Sequence, residues 1–137
     1  FSIEVNAMGR EIANNASNTD LLVIHGSTDA PTVDVVETGV GAGTIIDNAS
    51  YGDFAGYLEL PTADYTLEIR DESGQTTVAS YEAPLSSLNL MGASAVVVAS
   101  GFLNPTNNSN GEAFGLFVAL PNGGDLVALP ASKTANF

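Results

Sequence analysis

"YTLEIRD", residues 65–71, decides the fold class. Tyr65, Leu67 and Ile69 alternate with Thr66, Glu68 and Arg70, a period of two that sends one face to a core and leaves the other wet. "TVDVVE" (32–37) repeats the device, with Val33 and Val35 opposite Thr32 and Asp34. "LLVIHG" (21–26) and "SAVVVASGF" (94–102) are apolar at successive positions and read as central strands covered on both faces. Between such runs lie the turn clusters "GVGAG", "DESGQ", "NPTNNSNGE" and "LPNGGD". Strands recur about every 8 to 12 residues, the spacing of a sandwich or barrel. Only "APLSSLNLMG" (83–92) has room for a turn or two of helix.

These signals predict an all-β, Greek-key-like β-sandwich of about seven to nine strands. Its expected core is Val23, Ile24, Val33, Val35, Phe54, Leu58, Leu67, Ile69, Val97, Leu116 and Val118. The chain has 137 residues, 45% of them hydrophobic, which suits one such domain. With no cysteine, disulfides and thiolate metal sites are excluded. No apolar run has the length of a membrane span, and no signal-peptide pattern is present, so export would rest on a segment outside this sequence. Sixteen acidic residues face only Arg10, Arg70 and Lys133, a net charge of -13. Nucleic-acid binding is therefore not expected, because nothing is available to neutralise phosphates.

Two stretches resemble each other. "FSIEVNAMGREIA" (1–13) and "FGLFVALPNGGDLVA" (114–128) both open Phe-x-[Ile/Leu]-x-Val and pass a glycine-containing turn. Each then has an acidic residue followed by Ile or Leu. This organises the chain as an N-terminal strand or hairpin extension (1–18), a sandwich module (19–130) and a C-terminal linker (131–137). The extension would be the end of a preceding repeat or a donated strand, since an isolated hairpin must pack on something. Phe1, Ile3, Val5, Phe114, Leu116 and Val118 are the expected assembly residues, and neighbouring copies of the module the expected partners.

The run "LLVIHGSTDAPTVDV" (21–35), with "YGDFAGYLELPTADYTLEI" (51–69) and "AVVVASG" (95–101), resembles the bacterial domain-of-unknown-function family 4397. The resemblance covers roughly residues 20–130. It implies a secreted β-sandwich module, often repeated in tandem in surface proteins, many of which carry a sorting domain for type IX secretion. It supplies no catalytic residues. The family usually has Ala-Gly-x-Tyr before its middle strand, where this chain has Ala63-Asp64-Tyr65. The resemblance implies an extracellular or cell-surface, non-enzymatic module.

Three groups of residues could carry chemistry. "HGSTDAP" (25–31) places His25, Ser27 and Asp29 together, but without a nucleophile elbow it reads as a corner between core strands. Pro31 fixes its own φ and launches the next strand. Tyr51, Tyr57 and Tyr65 could offer rings to a glycan, although large apolar bodies also suit a core. Calcium could be held weakly by Glu59, Asp64, Glu68, Asp71 and Glu72, or by Asn107, Asn110 and Glu112 in the 104–112 loop. None of these matches the spacing of an EF-hand, and the 104–112 loop also reads as a solvated hairpin with Gly111 at positive φ. A glycan- or calcium-binding adhesion module is the alternative reading; no cofactor is expected otherwise.

Overall fold

In the computed structural model, which describes residues 3–132, Tyr65, Leu67 and Ile69 are buried on one face of a strand over Asp64–Asp71. Their partners across the sheet follow from the same alternation. Nine strands form among the described residues: β1 (Asn18–His25), β2 (Val33–Glu37), β3 (Gly43–Ala49), β4 (Phe54–Pro61), β5 (Asp64–Asp71), β6 (Thr77–Pro84), β7 (Ser94–Ser100), β8 (Gly115–Ala119) and β9 (Val127–Ala128). They make a five-stranded sheet ordered β4-β1-β7-β8-β9 and a four-stranded sheet ordered β3-β2-β5-β6. The chain is an all-β sandwich, as expected.

β1 and β7 are central and run parallel, with Leu21 beside Ala95 and Val23 beside Val97. β1 then crosses to the other sheet through the "HGSTDAP" corner. Between the sheets lie Leu21, Val33, Val35, Ile46, Leu67, Ile69, Val97, Leu116 and Val118. Ile24 and Phe54, expected in the core, pair with each other and stand outside that cluster. Strict alternation along β1 turns Leu21 and Val23 inward, so Ile24 belongs to the opposite face. Of residues 83–92, the first two end β6 and the rest form turns rather than helix, with Leu88 N–H donating to the Pro84 carbonyl at 2.9 Å. Their Leu85 and Leu90 plug the sandwich, almost wholly buried.

The N-terminal extension differs from expectation. Among the described residues, 3–11 form no strand, and Ile12 makes only an isolated bridge to Ala93. Ile3, Val5 and Met8 point to solvent, so no apolar face is buried that would hold a hairpin together. The segment is instead tied down at its far end. Ser94 N–H donates to the Glu11 carbonyl, Ala13 N–H to the Gly92 carbonyl, and Ala13 is buried. Residues 11–13 thus belong to the sandwich, inside the expected extension. The same holds at the other end: Ala131 bridges Tyr81 and Ser132 N–H donates to the Ser80 carbonyl, where a linker was expected.

All four sheet edges are blunted. β4 carries a register irregularity where it meets β1 and ends in Pro61, and β9 is two residues long. β3 has two irregularities against β2 and an Asn48 with φ of 57°. The outer side of β6 is covered by residues 130–132. These are the devices that keep sheets from pairing edge to edge.

Candidate functional site

Asp20 sits on the outward-facing side of β1, between the apolar run and the chain's few cations. Its carboxylate is wholly buried, and its Oδ2 accepts from Arg10 Nη1 at 2.9 Å and from Asn14 N–H at 3.0 Å. The same Nη1 donates to Glu59 Oε2 at 3.1 Å. Arg10 also lies over the Tyr57 ring, 4.6 Å from its centroid, and its backbone N–H donates to the Tyr57 hydroxyl. Bonds to Asp20 first, then Glu59, raise the pKa of the guanidinium above its ordinary value. A buried charge needs such a partner. This clasp fastens a strap, residues 3–14, to the sandwich. Upstream of it, Ile3, Val5 and Met8 are 77%, 75% and 80% exposed.

Away from Asp20 and Glu59, the outer face of the five-stranded sheet has an apolar region on β7 and β8. Val98 on β7 pairs with Phe117 on β8, and both alternate away from the buried Val97 and Val118. With Phe102, Leu126 and Thr28 they line a groove of about 490 Å³, whose only charged lining residue is Glu112. Leu126 is more than half exposed.

The expected assembly residues divide accordingly. Ile3 and Val5 are free to touch a neighbour, and Phe1 lies outside the described residues. Leu116 and Val118 are committed to the chain's own core, against which Phe114 packs, so their side chains cannot be contact elements. β8 is also paired on both edges, to β7 and β9. The resemblance between 1–13 and 114–128 therefore joins an exposed strap to a buried hairpin.

The remaining candidates are dispersed. Ser27 Oγ donates to the Gly101 carbonyl at 2.6 Å, and His25 Nε2–H donates to the Pro31 carbonyl at 3.0 Å. Asp29 takes the backbone N–H groups of Leu103 and Asn104, each at 2.8 Å, stapling the corner to the 103–108 loop. Desolvation pushes the Asp29 carboxyl up, but the bonds from Asn104, Leu103 and Ser27 together hold it below its usual range. "HGSTDAP" is a built corner, with His25 bonded within it and Ser27 and Asp29 tying it to residues 101–104. Tyr65 is buried and donates to the Pro61 carbonyl, Tyr57 has Arg10 over its ring, and Tyr51 meets His25 edge-on at 6.4 Å. The three rings therefore do not share one platform.

The candidate calcium ligands are also scattered. Glu59 is held by Arg10 and Asn14, Asp64 accepts from Ser86 N–H, Glu68 pairs with Arg70, and Asp71 with Ser73. Asn107, Asn110 and Glu112 are exposed on their loop. Its positive φ angles fall on Ser109 and Asn110, not on Gly111. Gly111 is needed for space, since a Cβ there would lie 2.5 Å from the Phe102 ring. Among the described residues no three His, Asp or Glu side chains converge to hold a metal ion.

The family profile described as a domain of unknown function (DUF4397) matches residues 19–109. The chain belongs to that family. No curated protein and no solved structure matches it. The DUF4397 match spans β1 to β7, and the two stretches that resemble each other flank it on either side.

Proposed function

We propose that this DUF4397 chain is a non-enzymatic structural and interaction module of an extracellular or cell-surface protein, associating with neighbouring copies of itself. One observation carries the reading: an otherwise acidic chain holds out Ile3, Val5 and Met8, bare, from a segment fixed in place by Arg10. Exposed apolar residues in a cluster mark interaction sites, whereas isolated ones need no explanation. The extracellular setting follows from the family resemblance, and the high net charge supports it by keeping a surface-displayed module soluble. The blunted edges favour contact through side chains over strand addition.

Light scattering on residues 1–137 against 10–137 tests this. The shorter chain keeps Arg10 and hence the clasp. Expected is association that grows with concentration in the longer chain and a monomer in the shorter. Equal masses for the two at every concentration would remove the reading.

A further inference from the structure

We infer that the outer-face groove of one copy receives the residue 3–8 strap of another copy, in a head-to-tail contact made by side chains. The inference rests on the self-association proposed above and assigns its receiving surface. The chain bears both halves of such a contact. Ile3, Val5 and Met8 project from the strap, and Val98, Phe102, Phe117 and Leu126 line the groove. Charge selects the occupant. Two copies each carrying -13 repel wherever their acids meet, so a contact between them must join surfaces poor in carboxylates. The groove has one charged lining residue, Glu112, and the strap from Ile3 to Gly9 has one, Glu4, which is engaged within its own chain.

The outer face of the four-stranded sheet offers no such opening. It presents Asp34, Glu68 and Arg70, with Glu82 hydrogen-bonded to Thr66. The family match adds a second, independent point. The strap and the β8–β9 hairpin that supplies Phe117 and Leu126 lie outside residues 19–109, whereas Val98 and Phe102 lie inside them, so the contact combines the matched region with the stretches that flank it. Because strap and groove are different surfaces, the contact is heterologous, and repeated it gives a closed ring or an open chain according to whether its rotation closes.

Complementation between two variants of the full chain tests the inference. Val5→Asp disables the strap and Leu126→Asp the groove. Both residues are more than half exposed, so melting should be unchanged in each. Each variant alone is expected to lose association by roughly tenfold or more, the cost of losing one buried aliphatic contact and placing a carboxylate in its place. Mixed in equal amounts, they are expected to form a species of twice the monomer mass, because one intact strap meets one intact groove. If the wild-type chain is monomeric throughout, both this inference and the proposed function fall. If it associates but Leu126→Asp associates equally well, the groove assignment alone is overturned. If both variants are monomeric and their mixture stays so, strap and groove are not partners.

Discussion

Glu37 ends β2, and its carboxylate is almost wholly buried under the turn that follows. It accepts four backbone N–H groups: Gly39 at 2.8 Å, Val40 at 3.0 Å, Ala42 at 3.1 Å and Thr66 at 3.1 Å. Burial pushes this carboxyl up, but the four donors together outweigh it and hold the group below its usual range. Glu37→Gln keeps the shape and removes the charge. The amide has a single oxygen, so about two donors lose their acceptor and face an NH2 group instead. Bonds to a charged acceptor exceed neutral ones by about 1 kcal/mol each, and stranded donors add to that, giving a loss of about 2–4 kcal/mol. For a domain of this size that is a fall in Tm of about 6–12 °C.

The pH dependence supplies the check. A depressed carboxyl contributes stability that is fully present above its unfolded pKa and disappears as pH falls through its folded pKa. The gap between wild type and Glu37→Gln should therefore be widest at neutral pH and narrow in acid, where wild-type Glu37 is itself neutral. Thermal melts by circular dichroism across that range measure it. A gap that stays constant with pH, or a variant that melts with the wild type at neutral pH, would refute the four-donor account.

Two further substitutions probe the strap and the β7–β8 connection. Arg10→Met keeps the aliphatic stem but strands the buried Asp20 carboxylate, so the amide hydrogens of Ser94 and Ala13, which donate to the Glu11 and Gly92 carbonyls respectively, should exchange faster than in wild type. Unchanged exchange at both would mean that backbone bonding alone holds the strap. Gly101→Ala should cost about 2 kcal/mol or more in a denaturant titration, because φ is +84° and a Cβ would lie 2.2 Å from the Ala113 carbonyl oxygen. A stability within experimental error of wild type would show that the connection can shift to accommodate a methyl group.

Strand existence was legible where one face is wet: "YTLEIRD" alternates cleanly and forms β5. It was less legible in β1, where Ile24 is as apolar as Leu21 and only the register says which of them faces inward. The corner at 25–31 was legible as a turn from its Ser, Asp and Pro, but the bonds that tie it down, from Ser27 to the Gly101 carbonyl and from Leu103 and Asn104 to Asp29, are long-range and had no local signal. Phe114, Leu116 and Val118 read as assembly residues because an apolar strand near a chain end looks the same whether it faces a neighbour or its own core. The clasp had no local signal. Arg10 finds Asp20 ten residues away and Glu59 forty-nine residues away, so only the folded sheet brings the three together. One trace was readable: an aspartate at position 20, at the head of the apolar run 21–24, requires a partner.

The parallel pairing of β1 with β7 has a consequence for how the chain is made. β1 precedes the other described strands along the chain, yet its neighbour on one side arrives about seventy residues later, when Ser94 to Ala99 align with Asp20 to His25. Until then Leu21, Val23 and Ile24 have β4 on one flank and open backbone on the other. Closing so long a loop is slow, and a nascent β1 with unpaired backbone can meet the same strand of a neighbouring unfinished chain. A chain interrupted before Ser94 would present the apolar run Leu21–Ile24 half-paired, and the emergence of β7 closes that flank.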